Sequence, residues 1–401
     1  MPLKLESKGC EVLEMNLTIS NAIVCNPDRQ FLGEVYIEDG IIQSVGKELK
    51  VKGDVRIDAS RRLLFPGFID LHIQGAGGAD ILDASPETLH IISQTCARHG
   101  VTGFLGTTVY HPGEPNKHIS SAVAESQQDM GGAEFLGFHL EGPFIAPEKR
   151  GMIRRASICE PSIEVLEEIT EVTGDLLRMM TVAPELDGSI EIIKILVNRS
   201  VVASFGHSSA SYEETLRGFN AGVSHVTHLF NAMNPMHHRS PGPLLAIFES
   251  REVTAQLISD GVHIVPPMVR FAVSMLGLDR CVLITDGMSG MGLPEGKYIY
   301  DGVEYISKGG TARYSDGTLI GTTLGLNEIA KRFLRFTGLP PYTIAKVASW
   351  NPALVLGLTG KKGSVEEGKD ADIVILNQDF SVWKTIVGGK IVYDSEDSRI
   401  K

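Results

Sequence analysis

The stretch Phe135-Leu136-Gly137-Phe138-His139-Leu140-Glu141-Gly142-Pro143-Phe144 sets the pattern of the chain. A short, mostly apolar run reads as a strand, an acidic residue follows at once, and Gly142 and Pro143 stop the sheet and clear space beside it. Comparable runs lie at 67–72, 103–108, 179–183, 201–205, 225–228, 254–258 and 281–285, making eight candidate strands with 135–140. Helix-length segments separate them, and two of these, 161–173 and 211–221, carry helical spacing and starting caps. Eight strand–helix repeats over residues 66–354 fit an α/β fold of the (β/α)8 TIM-barrel type better than an open sheet. In a barrel of this kind the chemistry sits where the strands end.

Outside that region the period changes. The runs 17–24 and 34–42 alternate as strands do, with a turn-rich stretch around Asn26-Pro27-Asp28 and a hairpin signal at Asp39-Gly40. Residues 371–376 and 385–393 repeat the pattern around Gly388-Gly389. Two or three strands are marginal alone, so residues 1–65 plus 355–401 are expected to form one small β-sandwich domain.

Composition narrows the function. With 37 basic against 49 acidic residues the chain carries a net charge of −12. Nucleic-acid affinity is built from Lys and Arg that displace counterions, so such a partner is excluded, whereas a small anion held by local cations is not. Cys10, Cys25, Cys96, Cys159 and Cys281 are odd in number and never form a Cys-x-x-Cys pair, which points to a reducing compartment rather than a disulfide framework. Lys4, Glu6, Lys8 and Glu11 break up any signal-peptide core, and no apolar run approaches the roughly 18 residues of a membrane span. A cytoplasmic protein without a membrane partner is expected.

The strand ends carry His72, Glu141, His207, His228, His263 and Asp286, all metal-ligand or acid–base types. A lone histidine is usually structural, and that reading suffices for His90, His99 and His118. It does not suffice for Glu141, His207 and His228, three coincident placements that suit a divalent metal. Asp286 closes the last strand and faces the same mouth, which suits a general base that takes a proton from water and passes it to a leaving amine. Arg239, in a Gly/Pro-bounded loop with His237 and His238 and near Asn231-Ala232, offers a guanidinium fork and backbone donors for phosphate.

Taken in order, Pro66-Gly67-Phe68-Ile69-Asp70, His139-Leu140-Glu141-Gly142-Pro143-Phe144, Gly206-His207-Ser208, Thr227-His228-Leu229-Phe230-Asn231-Ala232-Met233, Asp260-Gly261-Val262-His263 and Thr285-Asp286-Gly287 resemble the N-acetylglucosamine-6-phosphate deacetylases of the amidohydrolase superfamily. Residues 363–372 look like that superfamily's return into its β domain, so the resemblance spans nearly the whole chain. It implies hydrolysis of an N-acetyl amide on an amino-sugar 6-phosphate. It also implies one divalent metal, Zn2+ or Fe2+ with Mn2+ or Co2+ as alternatives, on Glu141, His207 and His228, with Asp286 as acid and base. Substrate contacts are implied at Met152, Ile153, Asn231, Ala232, His263, Leu319, Ile320 and Gly321. Arg239 is implied to reach a neighbouring subunit's site, which would make a homodimer.

Two departures mark a divergent member. Relatives carry His-x-His for two metals or Gln-x-Asn for one, whereas His72-Ile73-Gln74 is intermediate; a single tight metal is expected, with His72 lining the site or weakly holding a second ion. Ile153 stands where these deacetylases usually place a carbonyl-polarising His. Losing such a donor costs ~2.7–4 kcal/mol in comparable sites, to be made good by the metal, by His111 or Arg154, or by a different substrate. The alternatives are N-acetylgalactosamine 6-phosphate, another N-acyl amino sugar or amino acid, and a barrel that binds a metabolite without turnover.

Overall fold

The computed structural model describes residues 16–51 and 53–397; Cys10 and the charged stretch Lys4, Glu6, Lys8 and Glu11 lie outside them. Five strands come first: β1 (Leu17–Asn26), β2 (Arg29–Glu38), β3 (Ile41–Gly46), β4 (Val55–Asp58) and β5 (Leu63–Pro66). The barrel strands follow as β6 (Phe68–Ile73), β7 (Val101–Thr108), β8 (Glu134–Glu141), β9 (Leu177–Val182), β10 (Val202–Phe205), β11 (His225–Val226), β12 (Thr254–Leu257) and β13 (Cys281–Leu283). Then come β14 (Gly296–Tyr300), β15 (Val303–Lys308), β16 (Thr311–Tyr314) and β17 (Leu319–Thr322), and near the far end β18 (Ile373–Leu376), β19 (Val382–Val387) and β20 (Lys390–Asp394).

Strands β6 to β13 pair in sequence order and every pairing is parallel. The ends of the row meet just beyond β13, where Ile73 bridges Gly287 and the amide of Asp286 donates to the His72 carbonyl at 3.0 Å, so the sheet closes as a (β/α)8 barrel. All eight residues of β7 are buried, as expected for a strand covered on both faces. The helix Ile163–Thr173 starts on Ser162, whose hydroxyl accepts from Val165, and Tyr212–Ala221 starts on a capping box of Ser211 and Glu214. Both stand where the sequence placed them.

The additional sheet-rich domain is one eight-stranded sheet in the order β20-β19-β18-β5-β1-β2-β3, with β4 beside β1. Its core includes Ile19, Val24, Val35, Ile37, Ile42, Leu64, Ile373, Ile375 and Ile386. Asp39 and Gly40 (φ 52° and 74°) and Gly388 and Gly389 (φ 52° and 79°) form the two-residue turns that the sequence signalled.

One element was not anticipated. Between β13 and the helix Leu326–Thr337, β14 to β17 form an antiparallel sheet whose last strand folds back over the barrel mouth. Thr322 there bridges Gly287. Among the described residues no helix is long and apolar enough to cross a membrane, and Cys25, Cys96, Cys159 and Cys281 are free.

Candidate active site

Glu141 is the last residue of β8, and His207 and His228 each stand two residues past β10 and β11. Both histidines have left-handed backbone, φ 47° and 27°, which turns their rings toward the barrel axis at a conformational cost. Their Nε2 atoms lie 2.8 and 3.0 Å from Glu141 Oε1 and 3.0 Å from each other. Nδ1 of His207 is 2.7 Å from the Lys149 carbonyl, which can only accept, so that nitrogen carries a proton and Nε2 is turned toward Glu141. With a neutral ring, the Nε2 lone pair and the carboxylate would repel at 2.8 Å, a repulsion that a proton or a metal cation between them relieves. The buried trio therefore suits a divalent ion, and its mixed nitrogen and oxygen donors are compatible with several. Although burial raises it, the surrounding imidazoles hold the Glu141 carboxyl well below the usual carboxylate range.

Asp286 faces this trio, also from left-handed backbone at φ 51°. Its Oδ1 accepts from Gln74 Nε2 at 3.2 Å and lies 3.3 Å from His72 Nε2, while Oδ2 is 3.9 Å from His263 Nε2. Burial pushes the Asp286 carboxyl up from its ordinary value. His72 is fully buried, with Nε2 3.7 Å from Glu141 Oε1 and 3.1 Å from the Gln74 amide. His263 is oriented by Asp260, whose Oδ2 takes the Nδ1 proton at 2.7 Å and whose Oδ1 accepts the amides of Val262 and His263 at 2.8 Å. Gln74 and Asp260 appeared in the sequence only within the His72-Ile73-Gln74 and Asp260-Gly261-Val262-His263 motifs, without a role of their own. Gln74 sits two residues past His72 and so shares its side of the extended chain; Asp260 precedes His263 by three, the spacing of a side chain that caps its own loop.

Glu141, His207, His228, His263 and Asp286 line a cavity of about 300 Å³ together with Met152, Asn231, Ala232, Leu319 and Ile320 and with Glu148, Lys149 and Gly151, which the sequence did not assign to the site; His72, Gln74 and Asp260 are buried outside its lining. Met152, Leu319 and Ile320 make an apolar wall opposite the ionisable groups. Ile153 is buried with Val109 and Ile145, where an apolar side chain is best accommodated, and does not line the cavity. Gly321 does not line it either; a Cβ there would stand 2.6 Å from the Asp286 carbonyl, so glycine permits that approach. Arg239 is exposed on its loop beside the rings of His237 and His238, which are tilted by 46° with centroids 4.2 Å apart, outside the cavity of the single chain. His111 bonds to Ser157 at 2.8 Å and Arg154 pairs with Asp301, and neither lines the cavity. His90, His99 and His118 bond to Gln94, Asn327 and the Val109 carbonyl, away from the site.

Comparison with known proteins adds relatives to this geometry. The Amidohydrolase family model matches residues 63–392. The chain is 38% identical over 375 residues to an N-acetylglucosamine-6-phosphate deacetylase of Bacillus subtilis (strain 168), covering 91% of this chain and 94% of that one. It is 33% identical to an N-acetylgalactosamine-6-phosphate deacetylase of Escherichia coli O157:H7, covering 89% and 94%. A solved mutant N-acetyl-D-glucosamine-6-phosphate deacetylase from Mycobacterium smegmatis, in complex with N-acetyl-D-glucosamine-6-phosphate, superimposes with a TM-score of 0.86 at 28% identity over 94% of this chain and 99% of that one.

Proposed function

The chain belongs to the amidohydrolase family, and from that membership we propose that it hydrolyses the N-acetyl amide of an amino-sugar 6-phosphate, turning N-acetylglucosamine 6-phosphate into glucosamine 6-phosphate and acetate. The observation that carries the reading is a buried carboxylate, Asp286, facing the convergent Glu141, His207 and His228 in one cavity. Glu141, His207 and His228 would hold one divalent ion per subunit, Zn2+ or Fe2+ first and Mn2+ or Co2+ as alternatives, with His72 buried against Glu141 and Asp286 beneath the cavity lining. Such an ion supplies Lewis-acid polarisation of an acyl oxygen and acidifies water.

Asp286 supplies the proton traffic. Its carboxylate takes a proton from the attacking water and delivers it to the departing nitrogen, so the amine leaves neutral. The Gln74 amide occupies Oδ1, which leaves Oδ2 as the oxygen that carries the proton. His263, its Nδ1 committed to Asp260, offers Nε2 to a sugar hydroxyl. Asn231 and Ala232 would orient the sugar phosphate, and Met152, Leu319 and Ile320 exclude water from the amide. Ile153, packed with Val109 and Ile145, supplies no hydrogen-bond donor to the cavity. Arg239, exposed in the free chain, would reach the phosphate in a neighbouring subunit's cavity, giving a homodimer with shared sites. The reducing compartment indicated by the cysteines would be the cytoplasm.

A second reading changes only the sugar. The Escherichia coli relative acts, by its name, on N-acetylgalactosamine 6-phosphate at an identity close to that of the glucosamine enzymes. Acetate release from both phosphorylated epimers and their unphosphorylated forms, with Zn2+, Fe2+, Mn2+ or Co2+ bound, decides between them. Release from none of them with metal bound would sink both readings. Asp286→Asn is expected to lower turnover by roughly 10²–10⁴ while leaving metal content intact. Arg239→Ala should erase the preference for phosphorylated substrate. Inactive Asp286→Asn subunits mixed with Arg239→Ala subunits should recover the preference for phosphorylated substrate if sites are shared, and show no such preference if each chain is self-sufficient.

A further inference from the structure

We propose that Asp70 and Thr322 are positioning residues for proton transfer, clamping from two sides the strained turn that carries Asp286. The inference rests on Asp286 being the proton carrier. Left-handed backbone is rare for a residue with a Cβ and persists where the surroundings over-determine it. Asp286 has that backbone at φ 51°, and hydrogen bonds from two strands hold it there.

From the β6 side, Asp70 Oδ1 accepts the amides of His72 at 3.2 Å and Thr285 at 3.3 Å, and Oδ2 accepts the Thr285 hydroxyl at 2.5 Å. That hydroxyl oxygen in turn accepts the amide of Gly287 at 3.1 Å. From the β17 side, the Thr322 hydroxyl donates to the Thr285 carbonyl at 2.8 Å and its amide donates to the Asp286 carbonyl at 2.8 Å. Its own carbonyl accepts from Met288 at 2.9 Å. With Asp286 N bound to the His72 carbonyl and the Gly287 carbonyl bound to Gln74 and Gly75, every backbone polar group from Thr285 N to Met288 N has a partner.

Asp70 and Thr322 are both fully buried and neither lines the cavity, so neither can touch substrate. They act only through the turn. β17 also carries Leu319 and Ile320, so one strand both walls the cavity and fixes the catalytic carboxylate. A proton-transfer group displaced by a fraction of an ångström loses rate without losing affinity, which separates this role from a binding role.

Thr322→Val removes the hydroxyl at nearly constant volume and keeps the amide, whereas Thr322→Ser keeps both. In the metal-loaded full chain, Thr322→Val is expected to lower kcat about tenfold with KM and metal per chain unchanged, and Thr322→Ser to stay within about twofold. Asp70→Asn should lower kcat in the same way, and the double variant should lose less than the product of the single losses, because both act on one turn. Wild-type kcat in Thr322→Val, a loss carried by KM or metal content, or Thr322→Ser as impaired as Thr322→Val would overturn the proposal. If Asp70→Asn does not fold, the Thr322 pair decides alone. Asp286→Asn in the same assay separates the two readings: turnover retained there removes Asp286 as proton carrier and the clamp with it, whereas turnover lost there beside an unaffected Thr322→Val removes the clamp only.

Discussion

At Asp80 burial is the largest influence on the carboxyl, with the nearby Asp83 and Asp301 carboxylates acting in the same direction. Asp80 Oδ1 accepts the Leu82 amide at 3.0 Å, its Oδ2 has no partner, and burial pushes the carboxyl up to about 8. A carboxyl whose folded value lies above its unfolded value near 4 favours the fold fully below that unfolded value. That contribution fades as pH rises toward 8. Thermal stability should therefore decline from pH 5 to pH 8, and Asp80→Asn should flatten the decline and gain on the wild type at pH 8; an equal slope in both proteins, followed by circular dichroism, would remove Asp80 as its source. A second residue-scale expectation concerns Glu141→Gln, which keeps the volume and removes the charge between two imidazoles. Elemental analysis after gel filtration should find much less metal per chain than in the wild type. Glu141, His207, His228 and Asp286 could be read from sequence because each stands at or just past a strand that announces itself. The contacts of Asp70, Gln74 and Thr322 could not, although Asp70 and Gln74 stand in quoted motifs, because those contacts exist only once β6, the end of β13 and β17 have met.

Among the elements, the junction of β8 with the segment leading into β18 hangs on one ammonium. Lys362 Nζ lies 2.5 Å from Asp372, 2.8 Å from Glu134 and 3.2 Å from Asp370. Although burial pulls its pKa down, these carboxylates hold it above the ordinary lysine range. Lys362→Met leaves the buried Asp372 unpaired, and urea denaturation is expected to show a loss of about 3 kcal/mol, with Lys362→Arg losing less. At this scale legibility was uneven. The Asp39-Gly40 and Gly388-Gly389 turns stood out because alternating runs flank them. Asp301-Gly302 (φ 47° and 73°) and Gly309-Gly310 (φ 63° and 82°) make the same kind of turn between β14, β15 and β16. They went unread because Ile299, Val303 and Ile306 lie on exposed positions, which blurs the alternation of apolar inside and polar outside.

For the molecule as a whole, the hydrophobic core does not depend on the Glu141, His207 and His228 cluster, so chelation should abolish turnover and leave far-UV circular dichroism unchanged. Restoring the ion at 100 times its dissociation constant should add about 2.7 kcal/mol to the folded state, seen as a rise in Tm. Collapse of the spectrum on chelation would mean that the ion organises the barrel itself. The sheet shared by both parts of the sequence has a consequence for the order of events in synthesis. Strand β5 lies between β1 and β18, and the Asn26 side chain donates to the Val365 carbonyl across 339 residues. While the ribosome makes the barrel, one edge of β5 has no partner, and it stays open until the last tenth or so of the chain emerges. Contacts so distant close slowly, so the early strands form a template that waits, and a truncation before β18 would expose a sticky edge in place of a finished sheet.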